Sequence, residues 1–280
     1  MFVYPKLPAK YDFRFIRYRG SGLANCLFVV ARAHLISQKY GWILVNPTWG
    51  NLTFGTYLRN EKDKRHYFGL FRKTGISGLR KLVILFKLNE ITIESAIEGQ
   101  KGIVIIEGLG NYFEDLLLDY EDIHAFITSI FRKDAIIKVE RTDFINIIGI
   151  HIRLGDYITE RRTALDWYLT VVNEIIANHP GEYRFFVFSD GYDSEINQLL
   201  ALPGVVRVFF GNAISDIIGL SRCRLILGSD STFSGWAAFI NQTPIIFPKR
   251  HFGRVLLNQK YEYVDNGDSS KLKLFLNQVL

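Results

Sequence analysis

From residue 145 onward the hydrophobic positions fall into short blocks. Apolar runs at 145–152, 183–188, 205–210, 224–227 and 244–247 have strand length, and helix-like segments such as 166–178 separate them. Buried strands that alternate with helices build a parallel sheet covered on both faces, so this half reads as a doubly wound α/β domain. His179-Pro180-Gly181 stops the helix before it, and Pro244 opens the last strand, where a missing N–H does least harm.

The beginning of the chain carries a related pattern. Residues 13–18 read as a strand, 19–24 as a glycine-containing turn, and 25–40 as a helix in which Leu27, Val30, Ala31 and Leu35 recur at helical spacing. Gly41 stands at the C-cap position, and 42–45 return as a short strand. Between about 51 and 101 no period is visible, and irregular connections and helices are expected there. The 280 residues suffice for one large α/β domain or two smaller ones. With no repeat or Gly/Ser linker, two domains would be joined by short connections around a ligand cleft, with a boundary near Thr142 giving 1–141 and 142–280.

Composition narrows the classes. A hydrophobic share of 48% against 22% charged supplies a real core. Runs such as 82–86, 103–106 and 147–150 are far shorter than the ~18 residues of a spanning helix, and the first fifteen residues hold no uninterrupted apolar stretch, so a cytoplasmic protein is expected. Cys26 and Cys223 read as buried thiols of a reducing compartment. The net charge of +6 and pI near 9.2 favour an anionic partner: nucleic acid, an acidic lipid surface or a phosphorylated small molecule. The basic residues look scattered rather than gathered into a block, which speaks against nucleic acid.

Candidate chemistry lies at the ends of the strands. In Gly149-Ile150-His151-Ile152-Arg153-Leu154-Gly155-Asp156-Tyr157 the alternation of a strand puts His151 and Arg153 on one face, at the carboxyl edge where open α/β sheets bind ligands. The guanidinium of Arg153 matches phosphate oxygens, the alternative being a salt bridge to Asp156; His151 has the alternative of a satisfied core histidine. Ser189 and Asp190 close the next strand and could accept from guanine or ribose. After the strand at 224–227, Ser231, Thr232, Phe233 and Ser234 precede a helix at 235–240, where hydroxyls and open amides can cap the helix, hold a phosphate, or both. Arg19-Gly20-Ser21-Gly22-Leu23-Ala24-Asn25 looks like a dinucleotide fingerprint, but Asn25 replaces its last glycine and the following strand ends in Asn46-Pro47 without an acidic residue, against NAD.

Together these segments resemble the α-1,2-fucosyltransferase family (glycosyltransferase family 11) and, more distantly, the α-1,6 and protein O-fucosyltransferases. Residues 151–157 are similar to its His-x-Arg-Arg-Gly-Asp-Tyr signature, 229–238 to Ser-Asn-Ser-Thr-Phe-Ser-Trp-Trp-Ala-Ala, and 20–28 to Gly-Gly-Leu-Gly-Asn-Gln-Leu-Phe, with Phe188-Ser189-Asp190 between. The departures are Leu154 for the second arginine, Cys26 for glutamine, and Gly191 for a second aspartate.

The resemblance implies a GT-B-like α/β architecture of two Rossmann-like domains facing across a cleft, with the acceptor on 1–141 and GDP-fucose on 142–280. It implies inversion at the anomeric carbon, no metal and no cofactor beyond the donor. On this reading His151, Arg153, Ser189, Asp190, Ser231, Thr232, Phe233, Ser234, Gly22 and Asn25 bind the donor, and Arg153, Asp156 and His151 are catalytic. Asp156 and Glu160 are the nearest candidates for a general base. No Asp-x-Asp closes a strand, and Asp119 and Asp122 flank a solvated helix. Trp49, Tyr57 and Tyr67 could stack on acceptor sugars or be ordinary core aromatics. Family analogy makes the acceptor the 2-hydroxyl of a terminal β-galactoside on a surface polysaccharide or oligosaccharide precursor; the want of a spanning segment and the basic charge lead us to expect a bacterial cytosolic enzyme with peripheral contact to anionic lipid while it works on lipid-linked glycan. The alternatives are a transferase for another nucleotide sugar and an inactive nucleotide- or glycan-binding homologue.

Overall fold

Residues 1–155 and 162–280 are described in a computed structural model, in which the chain divides into two units. One comprises Met1–Tyr57 and Lys64–Ala135; the other takes Leu58–Asp63 and Ile136–Leu280. To residue 140 the elements are β1 (Phe2–Pro5), β2 (Ala9–Asp12), β3 (Arg17–Gly20), α1 (Leu23–Tyr40), β4 (Ile43–Leu44), β5 (Asn51–Leu52), α2 (Gly55–Leu58), α3 (Gly78–Lys87), α4 (Ile93–Ile97), β6 (Ile103–Ile106), α5 (Glu114–Leu117), α6 (Tyr120–Ile130) and α7 (Lys133–Glu140).

In the first unit β1 lies between β4 and β6, parallel to both, so the opening crossover is β1–α1–β4. Its first strand is therefore not the expected 13–18. Residues 13–16 turn the antiparallel hairpin β2–β3: Phe13 N donates to Ile16 O at 2.9 Å and Arg14 has φ 71°. The alternating phenylalanines there mimic a half-buried strand, yet Phe13 and Phe15 are 53% and 70% exposed. Helix α1 begins two residues before the expected start, buries Leu23, Leu27, Val30 and Ala31, and ends at Gly41 with φ 65°.

Beneath this hairpin sits a fully buried arginine. Arg17 donates from Nε to Thr48 O at 2.7 Å, from Nη2 to Trp49 O at 3.1 Å, and from Nη1 to Pro8 O at 3.0 Å and Cys26 Sγ at 3.4 Å. Carbonyl oxygens replace the water that a buried cation would otherwise lose. A Cβ on Gly20 would stand 2.7 Å from Arg17 Nη1 and 2.8 Å from Asn51 Oδ1, so the guanidinium needs a glycine beside it.

The second unit continues with β7 (Ile147–Ile152), α8 (Leu165–Asn178), β8 (Arg184–Ser189), α9 (Asn197–Leu200), β9 (Val205–Arg207), α10 (Ala213–Ser221), β10 (Leu225–Leu227), α11 (Thr232–Asn241), β11 (Ile245–Phe247), β12 (Glu262–Val264) and α12 (Ser269–Val279). Its six-stranded sheet has the order β12-β11-β10-β7-β8-β9, every neighbouring pair parallel. The chain moves outward from β7 through β8 and β9, then returns to place β10 on the other side of β7. That reversal is the doubly wound switch point. Ile148, Ile150 and Ile152 bury themselves with Val171, Val172 and Ile175 of α8 and Phe275 of α12. On the opposite face a Cβ at Gly149 would lie 2.5 Å from Leu220 Cδ1 and 2.9 Å from Cys223 Sγ, so glycine lets α10 close on the sheet. Both cysteines are buried thiols. Among the described residues no helix is long and apolar enough to cross a membrane.

Candidate functional site

Ligands of open α/β sheets settle outside the carboxyl ends of the strands at the switch point, here between β7 and β10. Register pairs Ile150 with Leu227, so His151 and Ser229 emerge beside each other. His151 Nδ1 lies 2.7 Å from Ser234 Oγ and 2.9 Å from Ser229 Oγ, and Ser229 N donates to Ser234 Oγ at 3.1 Å. A neutral ring protonated at Nε2, with both hydroxyls donating to Nδ1, satisfies this pattern. Burial pushes the His151 pKa down to about 3, with Asp190 opposing and Arg153 reinforcing the shift. The ring stacks on Phe233 with centroids 4.7 Å apart and planes at 21°, and Tyr168 Oη donates to the carbonyl of His151 at 3.0 Å.

His151 is a buried neutral brace between the loops after β7 and β10. Ser234, fully buried, places its hydroxyl inside the same brace. What it fixes is the amino end of α11, where Ser231 is the N-cap and accepts from Phe233 N at 3.2 Å. Thr232 is buried in the first turn of that helix.

Arg153 follows the last residue of β7 and turns toward β8 rather than β10. Its guanidinium pairs with Asp190, whose other oxygen accepts from Leu154 N at 2.8 Å and Gly155 N at 3.1 Å. The side chains of Arg153 and Asp190 are 22% and 17% exposed. An acidic partner of Arg153 is thus the strand-end Asp190, which anchors the β7 loop. A Cβ at Gly155 would meet Asp190 Oδ2 at 2.6 Å, which accounts for glycine at that step. Ser189 Oγ accepts from Gly191 N at 3.1 Å. Asp156 and Glu160 lie outside the described residues.

The departures at 154 and 191 meet each other. A Cβ at Gly191 would stand 2.5 Å from Leu154 Cδ1, 3.0 Å from Leu154 Cβ and 2.9 Å from Glu195 Oε2. Two positions where the resembled signature has arginine and aspartate therefore hold an apolar side chain packed over a glycine.

Sequence reasoning passed over two further groups. Asp230, buried between the serines of its motif, pairs with His251 Nδ1 at 2.6 Å and accepts from His251 N at 3.0 Å. Arg207 of β9 donates to Ser189 O at 2.9 Å and Gly191 O at 2.6 Å and pairs with Asp193. The signal for Asp230 was in the motif; Arg207 and His251 are brought near by topology, which spacing does not encode.

Gly22 and Asn25 belong to the first unit. Gly22 is the N-cap of α1, and Asn25 with Ser21 lines a cavity of about 630 Å³ there. Trp49 and Tyr67, both buried, line another of about 470 Å³, Trp49 stacked on Phe71 with centroids 3.5 Å apart. Tyr57 is exposed and hydrogen-bonded to His66 Nε2 at 2.5 Å.

A parallel sheet with a cation, a hydrogen-bonded brace and a capped helix at its switch point belongs to an α/β, GT-B-like fold. Residues 113–247 match the model of glycosyl transferase family 11. Among solved structures, NodZ alpha-1,6-fucosyltransferase co-crystallised with GDP is similar at a TM-score of 0.59 and 16% identity, over 87% of this chain and 93% of that one. Fucosyltransferase NodZ from Bradyrhizobium gives 0.59 and 16% over 90% and 96%. NodZ soaked with GDP-fucose gives 0.57 and 16% over 87% and 93%. At that identity the likeness is one of fold. No curated protein matches the sequence.

Proposed function

We propose that this glycosyltransferase moves L-fucose from GDP-fucose to a hydroxyl of a glycan, with inversion at the anomeric carbon and without a metal ion. The observation that carries the reading is the switch point of the second unit, where Asp190 holds Arg153 at one side and the His151–Ser229–Ser234 brace fixes the amino end of α11 at the other. His151 and Arg153 stand two residues apart at the end of β7, so the two halves form one cluster. A guanidinium and a helix amino end are the two protein features best matched to a diphosphate. The NodZ structures with GDP and GDP-fucose support the choice of nucleotide.

In the reaction the acceptor oxygen attacks C1 of the fucose from the face opposite GDP, the bond from C1 to the β-phosphate oxygen breaks, and the acceptor proton passes to a base. Negative charge grows on the leaving diphosphate. Arg153 and the first turn of α11 lower the barrier by meeting charge that develops only then. His151, Ser229, Ser234 and Asp190 are positioning residues. Asp156 keeps the proposed part of base, and the 2-hydroxyl of a terminal β-galactoside is the proposed acceptor.

Incubation with GDP-fucose and a panel of oligosaccharides, read by mass spectrometry for an added deoxyhexose, tests the reading. Transfer to a galactoside and thermal stabilisation by GDP in preference to UDP or CDP are expected. Stabilisation by UDP or CDP instead, or no deoxyhexose on any glycan, would overturn it.

A further inference from the structure

The scatter of basic residues along the whole chain hides a local concentration. Residues 64–89 hold seven cations, Lys64, Arg65, Arg72, Lys73, Arg80, Lys81 and Lys87, and no aspartate or glutamate. Helix α3 lies within this stretch and turns its apolar side the wrong way for a core helix. Leu79, Val83 and Phe86 are 81%, 50% and 75% exposed. Their i, i+4, i+7 spacing puts them on one stripe. The opposite side is anchored by Leu85 and by Lys81, whose ammonium donates to Thr48 Oγ1 at 2.8 Å, so the stripe is held outward rather than left to rotate. Arg80 and Lys87, both exposed, lie along one side of the stripe, and Arg72 and Lys73 are exposed in the segment before it.

We propose that α3 and the segment before it form a docking surface for an anionic lipid bilayer, with Leu79, Val83 and Phe86 entering the headgroup boundary and Arg72, Lys73, Arg80 and Lys87 facing lipid phosphates. An outward apolar stripe with basic residues beside it is the pattern of a helix that lies in a membrane interface. Charge selects the occupant: a surface without one acidic side chain across 26 positions is complementary to acidic headgroups, and each Lys or Arg near such a surface adds roughly fivefold to affinity. The helix is short, so the attachment is reversible and needs both contributions. This surface goes beyond the transfer reaction and stands whether or not the donor is GDP-fucose.

Sedimentation of the full-length protein with vesicles tests it. Binding to equimolar phosphatidylglycerol and phosphatidylcholine is expected, with little binding to phosphatidylcholine alone and loss of binding at high salt. Two double variants at exposed positions, Leu79→Ser with Phe86→Ser and Arg80→Glu with Lys87→Glu, should keep the wild-type circular dichroism spectrum and each lower vesicle affinity at least about tenfold. No binding to anionic vesicles at low salt, or equal binding by folded variants, overturns the proposal. So does light scattering that shows a dimer converted to monomer by Leu79→Ser with Phe86→Ser, since the stripe would then meet a second copy of the chain.

Discussion

Replacing Arg153 with alanine should have two separable consequences. Asp190 loses the guanidinium but keeps the amides of Leu154 at 2.8 Å and Gly155 at 3.1 Å, so the β7 loop stays tethered. The pair is 22% and 17% exposed, which keeps the stability cost below the about 3–5 kcal/mol of breaking a fully buried one. For the reaction, loss of one preorganised donor to developing charge costs about 3–4 kcal/mol, or about 10²–10³ in kcat. The carboxylate left behind then faces an incoming diphosphate, a further penalty on the order of 1 kcal/mol in water-like surroundings. Steady-state release of GDP from GDP-fucose in the presence of acceptor reads the sum, and GDP affinity reads the ground-state share. Arg153→Ala combined with Asp190→Asn should recover about fivefold of the loss by removing the repulsion. A folded Arg153→Ala enzyme with kcat/KM within about threefold of wild type would refute the assignment, as would a double variant worse than the single.

Three other perturbations probe the scaffold. Because burial holds the His151 pKa at about 3 while an unfolded histidine titrates near 6.5, the unfolded chain binds the extra proton between these values, and stability falls as pH drops through about 6.5. Urea denaturation should lose roughly 1–2 kcal/mol from this group between pH 6.5 and 5, and His151→Gln should flatten that slope; an unchanged slope would remove His151 as its source. Arg17→Met strands the carbonyls of Pro8, Thr48 and Trp49 and should cost roughly 3–5 kcal/mol by urea denaturation, whereas a cost below about 1 kcal/mol would mean the guanidinium bonds are dispensable. Gly191→Asp should destabilise through contact with Leu154 and repulsion from Glu195, and adding Leu154→Arg should restore part of it, with a coupling of about 1–3 kcal/mol in a double-mutant cycle; additive effects would deny that the two positions answer each other.

The second unit was legible because its strands are short apolar blocks buried on both faces, as β7 shows with all six residues buried. Strand order was not legible, since nothing local tells β10 to return beside β7. The first unit misled at residues 13–16, where Phe13 and Phe15 alternate with polar residues in a turn, while β1, four residues ending in proline, was too brief to register. At the site, the residue types were readable but their partners were not. His151 and Arg153 were expected on one strand face; the end of β7 sends one to the β10 loop and the other to Asp190. Nothing in Leu58–Asp63 marks it as belonging with the second unit, where Tyr192 Oη donates to Arg59 O at 2.8 Å.

Hydrogen exchange measured with and without saturating GDP goes to the centre of the account, since a diphosphate held at the switch point must slow the amides that cradle it. Slowed exchange in the loops after β7, β8 and β10, around residues 153–155, 189–191 and 229–233, together with its loss in Arg153→Ala, is the predicted result. GDP binding that leaves those three loops unchanged and protects other segments would contradict it.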